Sequence, residues 1–343
     1  MPISSALGSS ALLPAGLGHR NKIINGNMVV AQRGTAAITG SSAVQYPVDR
    51  WVCQHSATNS VTLQQSTVTP AGFTNSIVAT SGNSATAYAA GNYTFIFQYI
   101  EGYNIADLAY GSASAKQVSV SFWCRASQTG TYNAVLEGNG STRNYVTTFT
   151  VNVANTWEYK TLLIPGAPSG TWLTNSGVGL VFYIVLGMGS TYETASPNTW
   201  LESSAKYGTS GAVDIGAYNG ATFYLTGVQL EQNYQPTPFE QRPIGVELAL
   251  CQRYYTVFEA RRLNSEGYAS SASYGYYSNV GFPNEMRVAP TITLPAATQS
   301  GNTAGIATNA SVDGVVYFFG SAAAGNAYVL WNAGLKATAS AEF

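Results

Sequence analysis

Histidines, serines and cysteines are the side chains that could support nucleophilic or metal chemistry in this sequence. Only two histidines occur, His19 and His55, and no GxSxG segment presents a serine nucleophile. A catalytic triad is defined by the mutual geometry of its groups, so a histidine alone does not indicate one. No HExxH or CxxC spacing and no glycine-rich phosphate loop is present. The sequence therefore predicts no triad, no metal site and no cofactor.

Carboxylates could still support glycoside hydrolysis, which needs only two of them about 5 to 9.5 Å apart. An alternative is a structural Ca²⁺ at Asp107 or Asp214, but this ion needs six or more oxygen ligands and no such pattern occurs. Isolated acids among Ser, Thr and Asn are typical of a solvated surface. We expect no catalytic residues and no enzymatic activity, with a polysaccharide depolymerase as the alternative. The acids that could serve it are Glu137, Glu158, Glu193, Glu202 and Asp214.

Aromatic side chains are the remaining chemical resource of the chain. A flat ring can bury the apolar face of a sugar, while amides and hydroxyls beside it bind the sugar hydroxyls without desolvating a charge. A position in the core is the structural alternative for each ring, because Trp and Tyr are mostly buried. The candidate glycan-binding residues are Trp157, Trp172, Tyr192, Trp200, Tyr274, Tyr276, Tyr277 and Trp331.

Composition restricts the class of partner. Only 9% of the 343 residues are charged, against roughly 25% in ordinary soluble domains. The 15 Lys and Arg are balanced by 16 Asp and Glu, so no basic field exists to hold nucleic acid or an anionic membrane. The longest apolar run, Val178–Met188, has about half of the roughly 20 residues that span a bilayer. We expect a buried strand there, with no nucleic-acid partner and no membrane insertion.

The three cysteines, Cys53, Cys124 and Cys251, are odd in number and widely spaced. Such a pattern indicates neither a disulfide framework nor a zinc site. The chain is long enough to bury a core without covalent cross-links. We expect three buried free thiols.

Strand-like segments separated by Gly, Asn, Ser and Pro dominate the first two thirds of the chain. In one of them Val118, Val120, Phe122 and Cys124 alternate with serines, which predicts one packed face and one wetted face. Many short strands with turn signals between them predict a two-layer sandwich. The predicted strands are 60–67, 87–100, 117–125, 131–137, 144–153, 157–164, 177–186 and 221–231.

Three prolines within residues 236–243 exclude a helix or central strand there and predict a domain boundary. After it, a helix is predicted from the spacing of Val246, Ala249, Leu250, Tyr254 and Val257. Further strands are predicted at 274–277, 291–294, 315–319 and 328–331. The expected organisation is an N-terminal docking arm (1–20), a β-sandwich (21–243), and a short helix with a smaller β-rich C-terminal tip domain (244–343).

Several segments, in order along the chain, resemble a domain found in tail fibres and related virion appendages of tailed bacteriophages. Residues 21–34, which read NKIINGNMVVAQRG, and the triplet Asp49-Arg50-Trp51 resemble its opening. The remaining segments are 121–127 (SFWCRAS), 156–160 (TWEYK), 170–172 (GTW), 222–231 (TFYLTGVQLE), 237–243 (TPFEQRP), 247–255 (ELALCQRYY) and 282–291 (FPNEMRVAPT).

The resemblance implies an all-β fold: a jelly-roll β-sandwich similar to carbohydrate-binding modules, on a trimeric phage fibre with a variable C-terminal tip. Its motifs identify scaffold residues and no sugar-contacting set. Two structural ion pairs are expected within them. Asp49 pairs with Arg50 or Arg33 beside Trp51, and Arg242 pairs with Glu231 or Glu240 at the exit of the sandwich.

The main functional hypothesis is a non-enzymatic virion appendage, a tail fibre or receptor-binding protein. Its partners would be host-surface polysaccharide, other virion proteins bound through the arm, and two further copies in a homotrimer. No secretory signal pattern opens the chain, so we expect assembly in the host cytoplasm and a final location in the virion. The alternatives are a purely structural head, collar or tail decoration protein and the depolymerase named above.

Overall fold

The computed structural model describes residues 20–56, 60–82, 87–139, 143–202 and 205–343; the predicted docking arm therefore lies almost wholly outside the described residues. Two sheets form a sandwich from the first part of the chain. The first sheet has, in spatial order, β1 (Ile38–Thr39), β4 (Val61–Ser66), β5 (Ser76–Ser81), β13 (Thr222–Glu231), β7 (Val118–Ala126) and β10 (Glu158–Ile164). The second sheet has β12 (Trp200–Glu202), β9 (Arg143–Val151), β8 (Gly130–Gly138), β11 (Val178–Met188), β6 (Tyr93–Glu101), β3 (Trp51–His55) and β2 (Gln45–Val48).

The order of the strands defines a jelly roll. Neighbouring strands within each sheet are antiparallel. The chain crosses between the sheets at most connections: β1 to β2, β3 to β4, β5 to β6, β6 to β7, β7 to β8, β9 to β10, β10 to β11 and β12 to β13. Such long returns between two layers are the mark of this architecture. The predicted all-β class and jelly-roll sandwich are confirmed.

The core lies between the two sheets and follows the alternation of the sequence. Val118, Val120, Phe122 and Cys124 all point inward and are completely buried. Each fully buried side chain of this size contributes about 1.5–3 kcal/mol. The apolar run Val178–Met188 is β11, at the centre of the second sheet. It is apolar throughout because both of its faces are covered.

The outward face of the second sheet is covered by a layer of rings. Phe95, Phe97 and Tyr183 stand on this face, and Tyr192 and Tyr207 from the segment after β11 pack over them. The ring centroids of Phe95 and Tyr207 lie 4.7 Å apart. This layer leaves the second sheet with little exposed surface of its own.

The prediction that the serine face of β7 is wetted is wrong. Ser119 and Ser121 are 1% and 2% exposed, since the segment after β13 returns across this end of the first sheet. Glu231 on β13 accepts hydrogen bonds from the backbone N–H and hydroxyl of Thr237 at 2.7 and 2.8 Å. Gln229 accepts the backbone N–H of Glu240 at 2.8 Å. The proline-rich boundary segment is therefore a strap that buries polar side chains.

The strap also fixes the ion pairs of the exit. Arg242 lies 3.6 Å from Glu240, one of its two predicted partners. Its other predicted partner, Glu231, is 3.4 Å from Arg20 instead. Arg242 additionally approaches Glu247 of the following helix at 3.4 Å. The pair with Glu247 ties the strap to the helix, and Arg242 also donates to the backbone carbonyls of Asn21 and Ile23 at the start of the sandwich.

Gly227 interrupts β13 with a bulge, and its φ of +62° is a conformation that favours glycine. A Cβ here would lie 2.6 Å from Cζ of Phe73. Gly220 has nearly the same φ, +61°, and open space around it. We expect Gly220→Ala to cost about 1–2 kcal/mol for the backbone alone, and Gly227→Ala about 1–3 kcal/mol more from overpacking. Urea unfolding of the two variants measures the difference, and equal costs would contradict this packing.

The second part of the chain begins with the helix α1 (Ile244–Gln252). Nine further strands form three small antiparallel sheets: β14 (Tyr255–Glu259), β22 (Lys336–Ser340) and β17 (Thr291–Thr293); β15 (Ser265–Ala269), β21 (Gly325–Leu330) and β18 (Thr298–Gln299); β16 (Gly275–Gly281), β20 (Gly314–Ser321) and β19 (Thr303–Ala310). They enclose a separate core around Met286, Tyr317, Phe319 and Trp331. Within the described ranges, no helix has the length and apolarity needed to cross a membrane.

The predicted helix is present but shorter than its pattern. It ends at Gln252, so Tyr254 lies beyond it and Val257 belongs to β14. Tyr254 fits the apolar pattern of the helix although it lies beyond it, because it is fully buried in a cluster with Cys251, Ile24 and Val30. Tertiary packing, and not helical periodicity, placed the last two apolar residues of the pattern.

Charged residues concentrate where the two parts of the chain meet. The predicted alternative Arg33 is the partner of Asp49, at 3.6 Å, while Arg50 pairs with Glu342, which also accepts from Arg33. The Arg50 guanidinium carbon lies 3.5 Å from the ring centroid of Tyr254. We call Arg33, Asp49, Arg50, Tyr254 and Glu342 the junction cluster; it ties the sandwich to the last strand segment.

All three cysteines are free and buried, as expected. Burial raises the pKa of Cys53 and Cys124 to about 12 and raises that of Cys251 as well. The thiols therefore stay protonated at neutral pH, which fits a role in packing.

Candidate glycan-binding site

Four aromatic side chains share the outward face of the first sheet. Tyr159 on β10 is directly opposite Trp123 on β7. Trp157 comes just before β10, and its contact with the ring of Tyr224 places it on the same side. Tyr224 on β13 is opposite Arg125 on β7. We call Trp123, Trp157, Tyr159 and Tyr224 the ring platform.

The rings of the platform form two contacting pairs. The centroids of Trp123 and Tyr159 are 5.3 Å apart with planes inclined by 48°. Those of Trp157 and Tyr224 are 6.0 Å apart and inclined by 66°. Tyr159 is 43% exposed, and the other three rings are half-buried. Aromatic surface is thus held in fixed positions and remains open to solvent.

Apart from Val78 and Leu163, the side chains around the rings are polar and almost uncharged. The neighbouring outward positions are occupied by residues such as Thr62, Gln64, Thr80 and Thr161. Among the outward-facing positions of the described strands of this sheet, the only charged residues are Arg125 and Glu231, and the strap buries Glu231. A surface of rings, hydroxyls and amides suits a polyhydroxylated ligand.

A tight turn before β10 positions Trp157. Glu158 accepts hydrogen bonds from the backbone N–H groups of Asn152 and Val153, both at 2.8 Å, and from Lys160 at 2.5 Å. Asn155 adopts a left-handed conformation with φ of +56° and donates its N–H to Ala126 at the end of β7. The turn is therefore anchored at both ends, and the ring of Trp157 follows directly after it.

The hydrogen bonds of Glu158 predict a pH dependence. Partial burial alone raises the pKa of this carboxyl, but donation from Lys160, Val153 and Asn152 outweighs burial and lowers the pKa from 4.5 to about 2. The stabilisation is therefore fully present above pH 4.5 and is lost as the pH falls towards 2. We expect the stability difference between the wild type and Glu158→Gln to shrink across this window. Urea midpoints at pH 6, 4, 3 and 2 measure it; a constant difference would contradict the assignment.

Trp172 and Trp200, both predicted candidates, come together at one edge of the sandwich. Their ring centroids are 5.5 Å apart, and Tyr110 contacts both at 4.9 and 5.8 Å. The indole N–H of Trp200 donates to the carbonyl of Pro165 at 2.8 Å, and that of Trp172 to the carbonyl of Ser169 at 3.2 Å. These rings pack against the main core. They close the edge of the sandwich, and both are half-buried.

The other predicted rings are dispersed. Tyr192 belongs to the ring layer over the second sheet. Tyr274 and Tyr277 are 50% and 69% exposed on the C-terminal domain, and Tyr276 stacks on Phe319 at 5.1 Å. Trp331 is only 4% exposed and its indole N–H donates to the carbonyl of Pro295. Trp331 is therefore a core residue.

Three members of the platform were not among the predicted candidates. Trp123, Tyr159 and Tyr224 lie inside segments whose family resemblance indicated scaffold positions. Strand alternation contained the signal: Phe122 and Cys124 point inward, so Trp123 between them must point outward. Tyr224 likewise points outward, because it lies between the buried residues Phe223 and Leu225.

The predicted acids stand in separate surroundings. Glu202 pairs with Arg143 at 2.6 Å, and Asp214 accepts backbone N–H groups of Tyr88 and Gly216, both at 2.8 Å. Asp107, the other calcium candidate, pairs with Lys22 at 2.7 Å. Glu137 is buried beside Tyr183. In the part of the chain that the structure describes, no three His, Cys, Asp or Glu side chains gather as they would around a metal ion.

His55 is a buried structural residue of β3. Its Nδ1 lies 2.7 Å from the hydroxyl of Thr94, and Tyr88 contacts the same hydroxyl. The ring centroids of His55 and Tyr88 are 6.0 Å apart. His19 lies outside the described residues.

Comparison with solved structures gives distant likenesses. One is to the enzymatically active domain of tailspike protein 4 from bacteriophage CBA120: 12% identity over 62% of this chain and 22% of that chain, with a TM-score of 0.33. Another is to a family 4 carbohydrate-binding module: 14% identity, 61% of this chain, 98% of the other, TM-score 0.30. A third is to the C-terminal family 22 carbohydrate-binding module of Clostridium thermocellum Xyn10B. It is 12% identical over 55% of this chain and 88% of the other, with a TM-score of 0.30.

No protein-family model matches the chain, and no curated protein is similar to it. Its class follows from its own strands and side chains. It is an all-β protein in which a jelly-roll sandwich precedes a short helix and a smaller β-rich domain, and one outer face of the sandwich presents aromatic rings among uncharged polar groups. The resemblance to phage tail-fibre domains stays a prediction.

Proposed function

We propose that the protein recognises a glycan on the ring platform and does so without making or breaking bonds. The observation that carries this proposal is the grouping of Trp123, Trp157, Tyr159 and Tyr224 on one open sheet face. Rings of this kind bury the C–H faces of sugars, and the surrounding Thr and Gln side chains can bind hydroxyls. The near absence of charge on this face avoids a desolvation penalty on binding.

Other classes of ligand fit the platform less well. Nucleic acid binding draws on many Lys and Arg contacts to phosphates, and this face has one exposed arginine. A stable protein partner requires a fully buried apolar core in its interface, whereas the platform rings are interleaved with Thr and Gln side chains. A glycan needs only ring faces and dispersed polar groups, and this is the composition of the surface.

A glycan array with the purified chain tests this function. We expect binding to a restricted set of oligosaccharides, and unchanged chain lengths when the bound polysaccharide is incubated with the protein and analysed by mass spectrometry. Silence across the array would favour the purely structural alternative. Shortened chains would favour the depolymerase, in which two of the acids named above would act.

The wider setting that we propose is a virion appendage, either a tail fibre or a receptor-binding protein. The segments that resemble phage tail-fibre domains support it, as does a surface so poor in charge that association would bury part of its apolar area. Three copies would turn weak sugar contacts into useful avidity. Light scattering of the full chain should give the mass of a trimer; a stable monomer would contradict the trimeric arrangement.

A further inference from the structure

We propose that the glycan bound by the ring platform carries a carboxylate, and that Arg125 is the residue that recognises it. This inference rests on the proposed function and adds the chemical class of the ligand. It starts from the position of Arg125 on β7, between the strands that present Tyr224 and Tyr159.

Arg125 is held in place through its Nε and the face of its guanidinium. Its Nε donates to the backbone carbonyl of Asn155 at 2.8 Å, in the turn that precedes Trp157. Its guanidinium carbon lies 5.0 Å from the ring centroid of Tyr224, within the range of a cation–π contact. One hydrogen bond and one ring thus orient the guanidinium, and no residue in the described ranges accepts a hydrogen bond from its two terminal nitrogens.

The charge of Arg125 is not neutralised by the protein. Within the described ranges, no carboxylate lies within 4.0 Å of its guanidinium. In the same chain Arg20, Arg33, Arg50, Arg143, Arg242 and Arg253 each pair with an acid. The arginine that stands among the platform rings therefore differs from most of its counterparts, which serve structural ion pairs.

A carboxylate is the anion that matches this arrangement. The guanidinium is planar and binds a carboxylate through two parallel N–H···O bonds, which a lysine cannot reproduce. A sugar ring stacked on Trp157 or Tyr224 would bring a substituent of the ring next to Arg125. Uronic acids and sialic acids both carry such a carboxylate, and the platform chemistry is the same for either.

The test uses pairs of glycans that differ only in the carboxylate. Oligosaccharides of uronic acids and sialylated oligosaccharides are arrayed beside the same compounds after reduction of the carboxylate to a primary alcohol. The proteins compared are the full chain, Arg125→Gln, Arg125→Lys, and Arg262→Gln as the matched control. Arg262 is exposed on the C-terminal domain and likewise has no carboxylate within 4.0 Å in the described ranges, so its substitution removes the same charge elsewhere.

We expect the wild type to bind the carboxylated member of a pair about tenfold or more tightly than its reduced partner. Arg125→Gln should abolish this difference while it still binds the reduced partner, which also shows that the variant is folded. Arg125→Lys should retain only part of the preference, and Arg262→Gln all of it. Comparing the oligosaccharides of uronic acids with the sialylated ones identifies which type of sugar supplies the carboxylate.

Three outcomes would overturn the inference. Equal binding of both members of each pair by the wild type would reject the carboxylate but leave the platform intact. If Arg125→Gln and Arg262→Gln lost the preference for the carboxylated glycan equally, the preference would come from the overall charge of the protein. Silence towards every glycan would reject the proposed function and this inference together.

Discussion

Replacing Glu342 with glutamine is expected to lower the free energy of unfolding by about 3–5 kcal/mol. Glu342 is the acid that pairs with both Arg50 and Arg33 in the junction cluster. The side chain of Arg50 is 1% exposed, and its guanidinium also contacts the carbonyl of Tyr99 at 2.7 Å and the rings of Tyr254 and Phe343. Loss of the carboxylate leaves a buried guanidinium charge uncompensated, which costs far more than a surface ion pair contributes.

Urea unfolding of the two chains followed by circular dichroism measures this effect. The matched control is Glu202→Gln, because Glu202 also pairs with an arginine, Arg143, but its side chain is 79% exposed. Exposed pairs contribute about 0–1 kcal/mol. If both variants unfolded at the same urea concentration, the junction cluster would not hold the two parts of the chain together.

Removal of single platform rings is expected to reduce glycan affinity by about tenfold or more. A central ring in a binding surface typically contributes 2 kcal/mol or more, and 1.4 kcal/mol corresponds to a factor of ten. Trp157→Ala and Tyr159→Ala are the informative variants, because both rings stand at the edge strand β10 and their loss should not open the core. Affinity is measured by titration calorimetry with an oligosaccharide that the array identifies.

Tyr277→Ala is the control for this prediction. Tyr277 is 69% exposed and stacks on Phe318 in the C-terminal domain, so it is a solvent-exposed ring outside the platform. Its removal should leave the affinity unchanged. A large loss in Tyr277→Ala with normal binding by Trp157→Ala would place the glycan on the C-terminal domain.

Alternation and turn residues in the sequence were enough to predict the sandwich. The predicted strand 117–125 is close to β7 because its apolar residues alternate with polar ones. The predicted strand 177–186 is close to β11 because its continuous apolar run has the length of a buried strand. Strands β1, β2, β3, β5 and β12 of the sandwich were missed. Four of them have only two to five residues, and β5 (Ser76–Ser81) mixes Ser, Thr and Ala with two apolar residues, so its burial comes from its neighbours.

The candidate site could be predicted only in part. Composition indicated rings among uncharged polar groups, and Trp157 was among the candidates, but so was Trp331, which is buried in the core. Whether a ring faces solvent depends on which strands and segments pack beside it, and the sequence of one strand does not reveal those neighbours. The partner of Arg50 was equally beyond a sequence argument, because Glu342 lies 292 positions away.

Glycan recognition by the ring platform is tested most directly by the structure of the protein bound to the oligosaccharide that gives the strongest array signal. We expect sugar rings against Trp157 and Tyr159 on the first sheet, with glycosidic bonds intact and a carboxylate beside Arg125. A sugar bound at the Trp172 and Trp200 edge, on the C-terminal tyrosines, or cleaved between two acids would contradict it.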